Sequence, residues 1–125
     1  MIIGDAARLE QVVINLLINA RDAIEEKWPP EAHGTAAVKQ INLYTGRSED
    51  KVVFSVCDTG IGIAPGIMPK IFEPFFTTKK VGQGTGLGLS ISYGIIKECN
   101  GDIFARPNPD GGTCFIIEFP VPDAA

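Results

Sequence analysis

No apolar run in this 125-residue chain approaches the roughly 18 residues needed to cross a bilayer, and the opening Met1-Ile2-Ile3-Gly4-Asp5 lacks a charged n-region and a cleavage site. The sequence is therefore read as cytoplasmic. Basic charge is scarce: eleven Lys and Arg against fifteen Asp and Glu leave a net charge of −4, with no long basic run, so nucleic acid is not expected as a partner. Cysteine occurs only at 57, 99 and 114, an odd number without C-x-x-C spacing. This disfavours a disulfide framework or a zinc site, and all three are read as small buried hydrophobes in a reducing compartment. The single histidine, His33, precedes Gly34 with nothing nearby to orient it, so it is read as a solvated loop residue rather than a catalytic base. What remains is 45% hydrophobic and 21% charged, enough for one domain with one core.

Glycine, by contrast, is concentrated. Gly82, Gly84, Gly86 and Gly88 stand at every second position, and Leu87, Ile91, Ile95 and Ile96 follow at helical spacing. Such a stretch suits phosphate, because glycine lets backbone N–H groups approach an anion that a Cβ would block. The helix that follows offers unpaired N–H groups and the positive end of its dipole. Alternate glycines do not fit the G-x-G-x-x-G of a dinucleotide-binding turn, and no G-x-x-x-x-G-K-[ST] occurs.

Taken in order, Asp5 can cap a helix with apolar positions Leu9, Val12, Val13, Leu16, Leu17, Ala20, Ala23 and Ile24, running to about Lys27 before Pro29-Pro30 ends it. Beside this stripe, Arg8, Asn15, Asn19, Asp22 and Glu26 form a polar strip. Asn15 and Asn19 lie one turn apart, and their carboxamide oxygens could ligate a hard cation such as Mg²⁺. Residues 38–57 change to strand alternation, Ile41-Leu43-Thr45 and then Val52-Phe54-Val56, with a turn at Ser48-Glu49-Asp50. The second strand leads into Asp58-Thr59-Gly60-Ile61-Gly62-Ile63, where a carboxylate at a strand end could meet a ligand amino group. Residues 64–83 read as a lid, with a short helical possibility from Met68 to Phe72, an apolar group Phe72, Phe75 and Phe76, and the basic pair Lys79-Lys80. Asn100-Gly101 reads as a helix C-cap, and strands are expected at 102–106 and 113–121 around a turn at 107–112.

Four of these segments carry a resemblance. Asn15-Leu16-Leu17-Ile18-Asn19-Ala20, Asp58-Thr59-Gly60-Ile61-Gly62, Phe72-Glu73-Pro74-Phe75-Phe76-Thr77-Thr78-Lys79 and Gly84-Thr85-Gly86-Leu87-Gly88-Leu89 resemble the N box, first glycine box, F box and second glycine box of sensor histidine kinases, in family order. F-E-P-F-F-T-T-K is similar to the nitrogen-regulatory, PAS-linked subtype. The resemblance implies an α/β class protein, a two-layer sandwich (the Bergerat fold) in which helices cover one face of a mixed β-sheet and ATP lies between helices and lid. Its parts would be the N box at about 5–27, the first glycine box at 58–63, the lid and F box at 64–83 and the second glycine box at 84–90.

By the same resemblance Asn19 would be the main Mg²⁺ ligand with Asn15 supporting it, both counted as catalytic. Asp58 would accept from the adenine amino group, with Thr113 near the base. Gly84, Thr85, Gly86, Leu87 and Gly88 would wrap the phosphates with Lys79 or Lys80, and Asp22, Gly60, Gly62, Ile63 and Phe72 would complete the nucleotide site. The implied activity is phosphorylation of a histidine on a separate dimerisation domain of the parent kinase, and indirectly of a response regulator, by a fragment itself monomeric. Departures are also visible. Family members often carry Lys or Arg, then Tyr, where this chain has Asp22 and Ala23, leaving Arg21 as a substitute, and the superfamily's hydrolytic ATPases put Glu where Asn15 stands. Asparagine is no general base, so fast hydrolysis is not expected. Two other readings stay open: a nucleotide-binding regulatory module without phosphotransfer, and an aspartic protease read from Asp58-Thr59-Gly60.

Overall fold

The computed structural model describes residues 6–27, 39–48, 50–73, 88–109 and 111–120. Helix α1 spans Ala6–Lys27, and Val12, Leu16, Ala20 and Ile24, one turn apart in succession, are its buried residues. The expected cap Asp5 and the expected stop at Pro29-Pro30 lie outside the described residues. Helix α2 spans Gly88–Glu98, its Ile95 and Ile96, with Cys99 just beyond its end, share the core with Val12, Leu16 and Ala20 of α1, and an ion pair from Arg8 to Glu98 joins the helices at the surface. Its end follows the expected cap with one refinement. Asn100 takes the left-handed conformation (φ 61°), its N–H donates to Lys97 O at 3.1 Å, and the Gly101 N–H donates to Ile96 O at 2.9 Å. Gly101 is needed for space, since a Cβ there would lie 2.8 Å from the Phe119 ring.

The strands are β1 (Ile41–Arg47), β2 (Lys51–Asp58), β3 (Asp102–Pro107) and β4 (Thr113–Pro120), in the order β1-β2-β4-β3. The expected hairpin joins β1 and β2, closed by Ser48 N–H to Lys51 O at 2.9 Å. All pairings among the described strands are antiparallel. Alternation along each strand separates the two faces. Val56, Ile103, Phe115, Ile117 and Phe119 point to the helices and join Val12, Leu16, Ile95 and Ile96 in one core. Asp58 lies on the same face as Val56, at the end of β2, so the sheet aims a carboxylate into the layer between sheet and helices. Edge strand β1 is less covered, with Ile41 and Leu43 exposed.

One expectation fails. Cys57 and Cys114, read as independent buried hydrophobes, are joined by a disulfide. Their separation of 57 residues conveys nothing about proximity, but the β2–β4 register sets them directly opposite, with Cα atoms 4.0 Å apart, nearer to a non-hydrogen-bonded pair than to a hydrogen-bonded one. Cys99 is free and buried in the core, as expected.

Candidate functional site

Asp58 sits where β2 leaves the sheet, and only 1% of it is exposed. Its Oδ1 accepts two backbone N–H groups, Gly60 at 2.8 Å and Thr113 at 3.3 Å. Its Oδ2 is buried and has no hydrogen-bond partner, the one such side-chain atom among the described residues. Burial raises the carboxyl pKa above its ordinary 3.8, while the two amides and the charge of Lys27 pull the other way. A buried acceptor left open costs free energy unless a ligand completes it.

Neighbouring backbone packs tightly around this carboxylate. A Cβ on Gly60 would lie 2.5 Å from the Ala23 carbonyl carbon, and Ile61 N–H donates to Ala23 O at 3.1 Å, so the first glycine box is fastened to the last turns of α1. Gly62 has φ +80° and faces Gly112 of the β3–β4 turn. Thr59 is structural: its N–H donates to Gln40 O at 3.1 Å and its Oγ1 accepts from Gln40 N–H at 2.9 Å, tying β2 to the start of β1. Thr113 is 3% exposed and meets Asp58 through its backbone.

On α1, Asn15 and Asn19 are both half-buried and one turn apart. The Asn15 amide donates to the Oγ of Ser92, a fully buried residue of α2, at 3.4 Å. Asp22 holds the Arg21 guanidinium at 3.0 Å, so Arg21 is engaged by its own neighbour. Among the described residues there is no cluster of three or more His, Cys, Asp or Glu that could hold a metal.

The start of the expected lid is anchored. A 3₁₀ turn at Met68–Lys70 leads to Ile71, which is buried, and to Phe72, whose ring lies 5.5 Å from Tyr93 and 6.4 Å, edge-on, from Phe115. Ile63 also packs on the core. Gly88 opens α2. Phe75, Phe76, Lys79, Lys80, Gly84, Thr85, Gly86 and Leu87 lie outside the described residues.

Four participants were not legible as such in the sequence. Asn108 donates its side-chain amide to the Asp58 backbone oxygen at 2.8 Å, Lys27 contributes charge, Ser92 holds Asn15, and the Ala23 carbonyl holds the glycine box. Only Asn108 carries a usable signal, as an asparagine between two prolines in a turn.

Residues 4–123 match the family model described as Histidine kinase-, DNA gyrase B-, and HSP90-like ATPase. The chain is 48% identical over 121 residues to sensor kinase CckA of Brucella abortus, covering 94% of this chain and 13% of that protein. It is 42% identical over 118 residues to the two-component sensor PprA of Pseudomonas aeruginosa, covering 94% of this chain and 12% of the other. It thus spans about an eighth of these curated relatives. Among solved structures, the catalytic domain of histidine kinase ThkA in a nucleotide-free form superposes with a TM-score of 0.74 at 38% identity, over 94% of this chain and 68% of that one. Full-length ShkA in complex with AMPPNP superposes with a TM-score of 0.75 at 29% identity, over 99% of this chain and 24% of that one. Two helices packed on the sheet are foreign to the almost wholly β aspartic proteases, and that reading finds no support. No helix among the described residues is long and apolar enough to cross a membrane. The sandwich, the buried Asp58 beside its glycines and these matches together make the chain a member of the histidine kinase-, DNA gyrase B- and HSP90-like ATPase family, an ATP-binding domain of the sensor histidine kinase kind.

Proposed function

We propose that this domain binds ATP with Mg²⁺ and presents the γ-phosphoryl group to a histidine on the dimerisation domain of a larger two-component sensor kinase, which then serves a response regulator. The observation that carries the reading is the open Oδ2 of Asp58. With Oδ1 saturated by backbone amides, Oδ2 is an acceptor held in a buried site, suited to the exocyclic amino group of adenine and repelled by the carbonyl that guanine presents there. Asn19, supported by Asn15, offers the amide oxygen that suits Mg²⁺, and the cation, when bound, supplies positive charge to the phosphate oxygens. Asn15 cannot take a proton from water, so the site favours transfer to an external acceptor over hydrolysis.

Calorimetry with ATP and GTP in the presence of Mg²⁺ tests the base reading. ATP is expected to bind more tightly than GTP, and Asp58→Asn to cost about 1.5 to 3 kcal/mol of ATP affinity. Equal affinities for the two nucleotides would remove Asp58 from this role. Transfer of labelled phosphate to a separately supplied dimerisation domain tests the kinase reading, and ATP binding without any transfer would leave a regulatory nucleotide-binding module.

A further inference from the structure

Asn108 stands between Pro107 and Pro109 in the turn joining β3 to β4, and the following proline steers it away from helical geometry. Its backbone N–H donates to Gly112 O at 3.0 Å, and its carbonyl accepts from Gly111 N–H at 2.9 Å. Those two bonds close the turn, and a different side chain could leave them in place. The side chain has a separate task. Its Nδ2 donates to the backbone oxygen of Asp58 at 2.8 Å, 50 residues away. The β2–β4 ladder ends at the Cys57–Cys114 pair, so beyond it the Asp58 carbonyl takes a hydrogen from a side chain instead of from a strand. The Oδ1 of Asp58, by contrast, accepts from the backbone amides of Gly60 and Thr113.

We propose that Asn108 is a positioning residue for base selection: by pinning the β3–β4 turn to the Asp58 peptide, it holds the Thr113 N–H against Oδ1 and so fixes where Oδ2 faces the base. The proposal rests on the reading of Asp58 as the adenine acceptor. Of the two amides on Oδ1, Gly60 follows Asp58 closely in the chain and bonds at 2.8 Å, whereas Thr113 comes from the turn and bonds at 3.3 Å. The longer bond is the one a small displacement of the turn breaks, since hydrogen bonds weaken steeply beyond such distances. Freed of Thr113, the carboxylate can rotate about its own side-chain bonds, and its unpartnered oxygen loses its fixed direction. Aspartate at 108 would match the shape of asparagine but, ionised, has no hydrogen to give the Asp58 carbonyl.

The test measures ATP and GTP dissociation constants with Mg²⁺ on the 125-residue chain, together with the thermal midpoint of the nucleotide-free protein. Asn108→Ala is expected to weaken ATP about tenfold, to change GTP little, and to move the midpoint by only a few degrees. Asn108→Asp is expected to lose the same selectivity and decides the matter should the alanine variant not fold. Retained ATP-over-GTP selectivity in a folded Asn108 variant, with selectivity lost in Asp58→Asn, overturns the positioning role and leaves the Asp58 reading standing. Equal weakening of both nucleotides in the Asn108 variants also overturns it, because that is what general loosening of the turn would give. No selectivity in the unmutated protein removes the Asp58 reading itself.

Discussion

A methyl group on Gly112 would lie 2.1 Å from the backbone oxygen of Asp58 and 2.8 Å from its Oδ1. The turn before β4 therefore passes over the end of β2 with no space for any side chain, and Gly112 adds a φ of +96° that L-residues rarely adopt. Gly112→Ala combines a backbone clash with conformational strain and should cost about 2 kcal/mol or more of folding stability. Gly66 is the matched control, since a Cβ there meets nothing within 4 Å. Gly66→Ala should be neutral or stabilise by up to about 1 kcal/mol. Urea denaturation of both variants measures the contrast, and similar stabilities would contradict the close approach.

The second prediction concerns proton linkage at Asp58. Burial raises its pKa in the folded protein above the ordinary 3.8, so between those two values the folded state binds a proton that the unfolded chain has released. The stability due to this group is thus fully present below 3.8 and lost as pH rises through the folded pKa. Asp58→Asn cannot titrate, and without nucleotide it should gain stability relative to the parent as pH rises through that window. ATP binding runs the other way, because only the ionised carboxylate can accept from adenine without first giving up its proton. ATP affinity of the parent should rise with pH over the same interval, and that of the variant should not. Denaturation and calorimetry across a pH series check both, and parallel curves for the two proteins would count against the linkage.

The third prediction follows from the Cys57–Cys114 pair. Closing a loop of 57 residues removes enough unfolded-chain entropy to stabilise the fold by about 4 kcal/mol in the chain-entropy model. Dithiothreitol should therefore lower the thermal midpoint by about 10 °C or more. Cys57→Ser should melt at the reduced value and be insensitive to the reagent. A parent midpoint unaffected by reduction would show that the cross-link contributes nothing. The cysteines lie next to Asp58 and Thr113, so the same comparison, made with ATP present, reports whether the site needs the cross-link.

Much of this was legible in the sequence because its signals are local. The 3.6-residue spacing of Val12, Leu16 and Ala20, the alternation through Val52, Phe54 and Val56, and the Asn100-Gly101 cap each follow from a few neighbouring residues, and the structure has all three. Asp58 stood out for the same reason, as an acid at a strand end before two glycines, and the structure buries it at the end of β2. What escaped depends on register. The Cys57–Cys114 bond, the Asn108 amide on Asp58 and the Ser92 hydroxyl under Asn15 join residues 57, 50 and 77 positions apart, and no periodicity within one segment encodes such a meeting. The exposure of Ile41 and Leu43 belongs here too, since alternation gives their face but not what covers it.

The last prediction separates a metal-binding amide from a structural one on the same helix. Asn15 is engaged by the buried Ser92 hydroxyl, so Asn15→Ala should disturb the α1–α2 packing as well as nucleotide binding, with a cost of about 1 kcal/mol in stability. Asn19, one turn on, is half-buried on the same helix, and its proposed task is to present an oxygen to Mg²⁺. Asn19→Ala should keep the stability of the parent to within about 0.5 kcal/mol while flattening the Mg²⁺ dependence of ATP affinity. Asn19→Asp restores an oxygen ligand and adds charge, so it should regain Mg²⁺ dependence but with an altered affinity. Titrating ATP into each variant at several Mg²⁺ concentrations, beside urea denaturation, reads both quantities. An Mg²⁺ dependence in Asn19→Ala equal to that of the parent would mean that Asn19 is only a solvated residue at the edge of the helix.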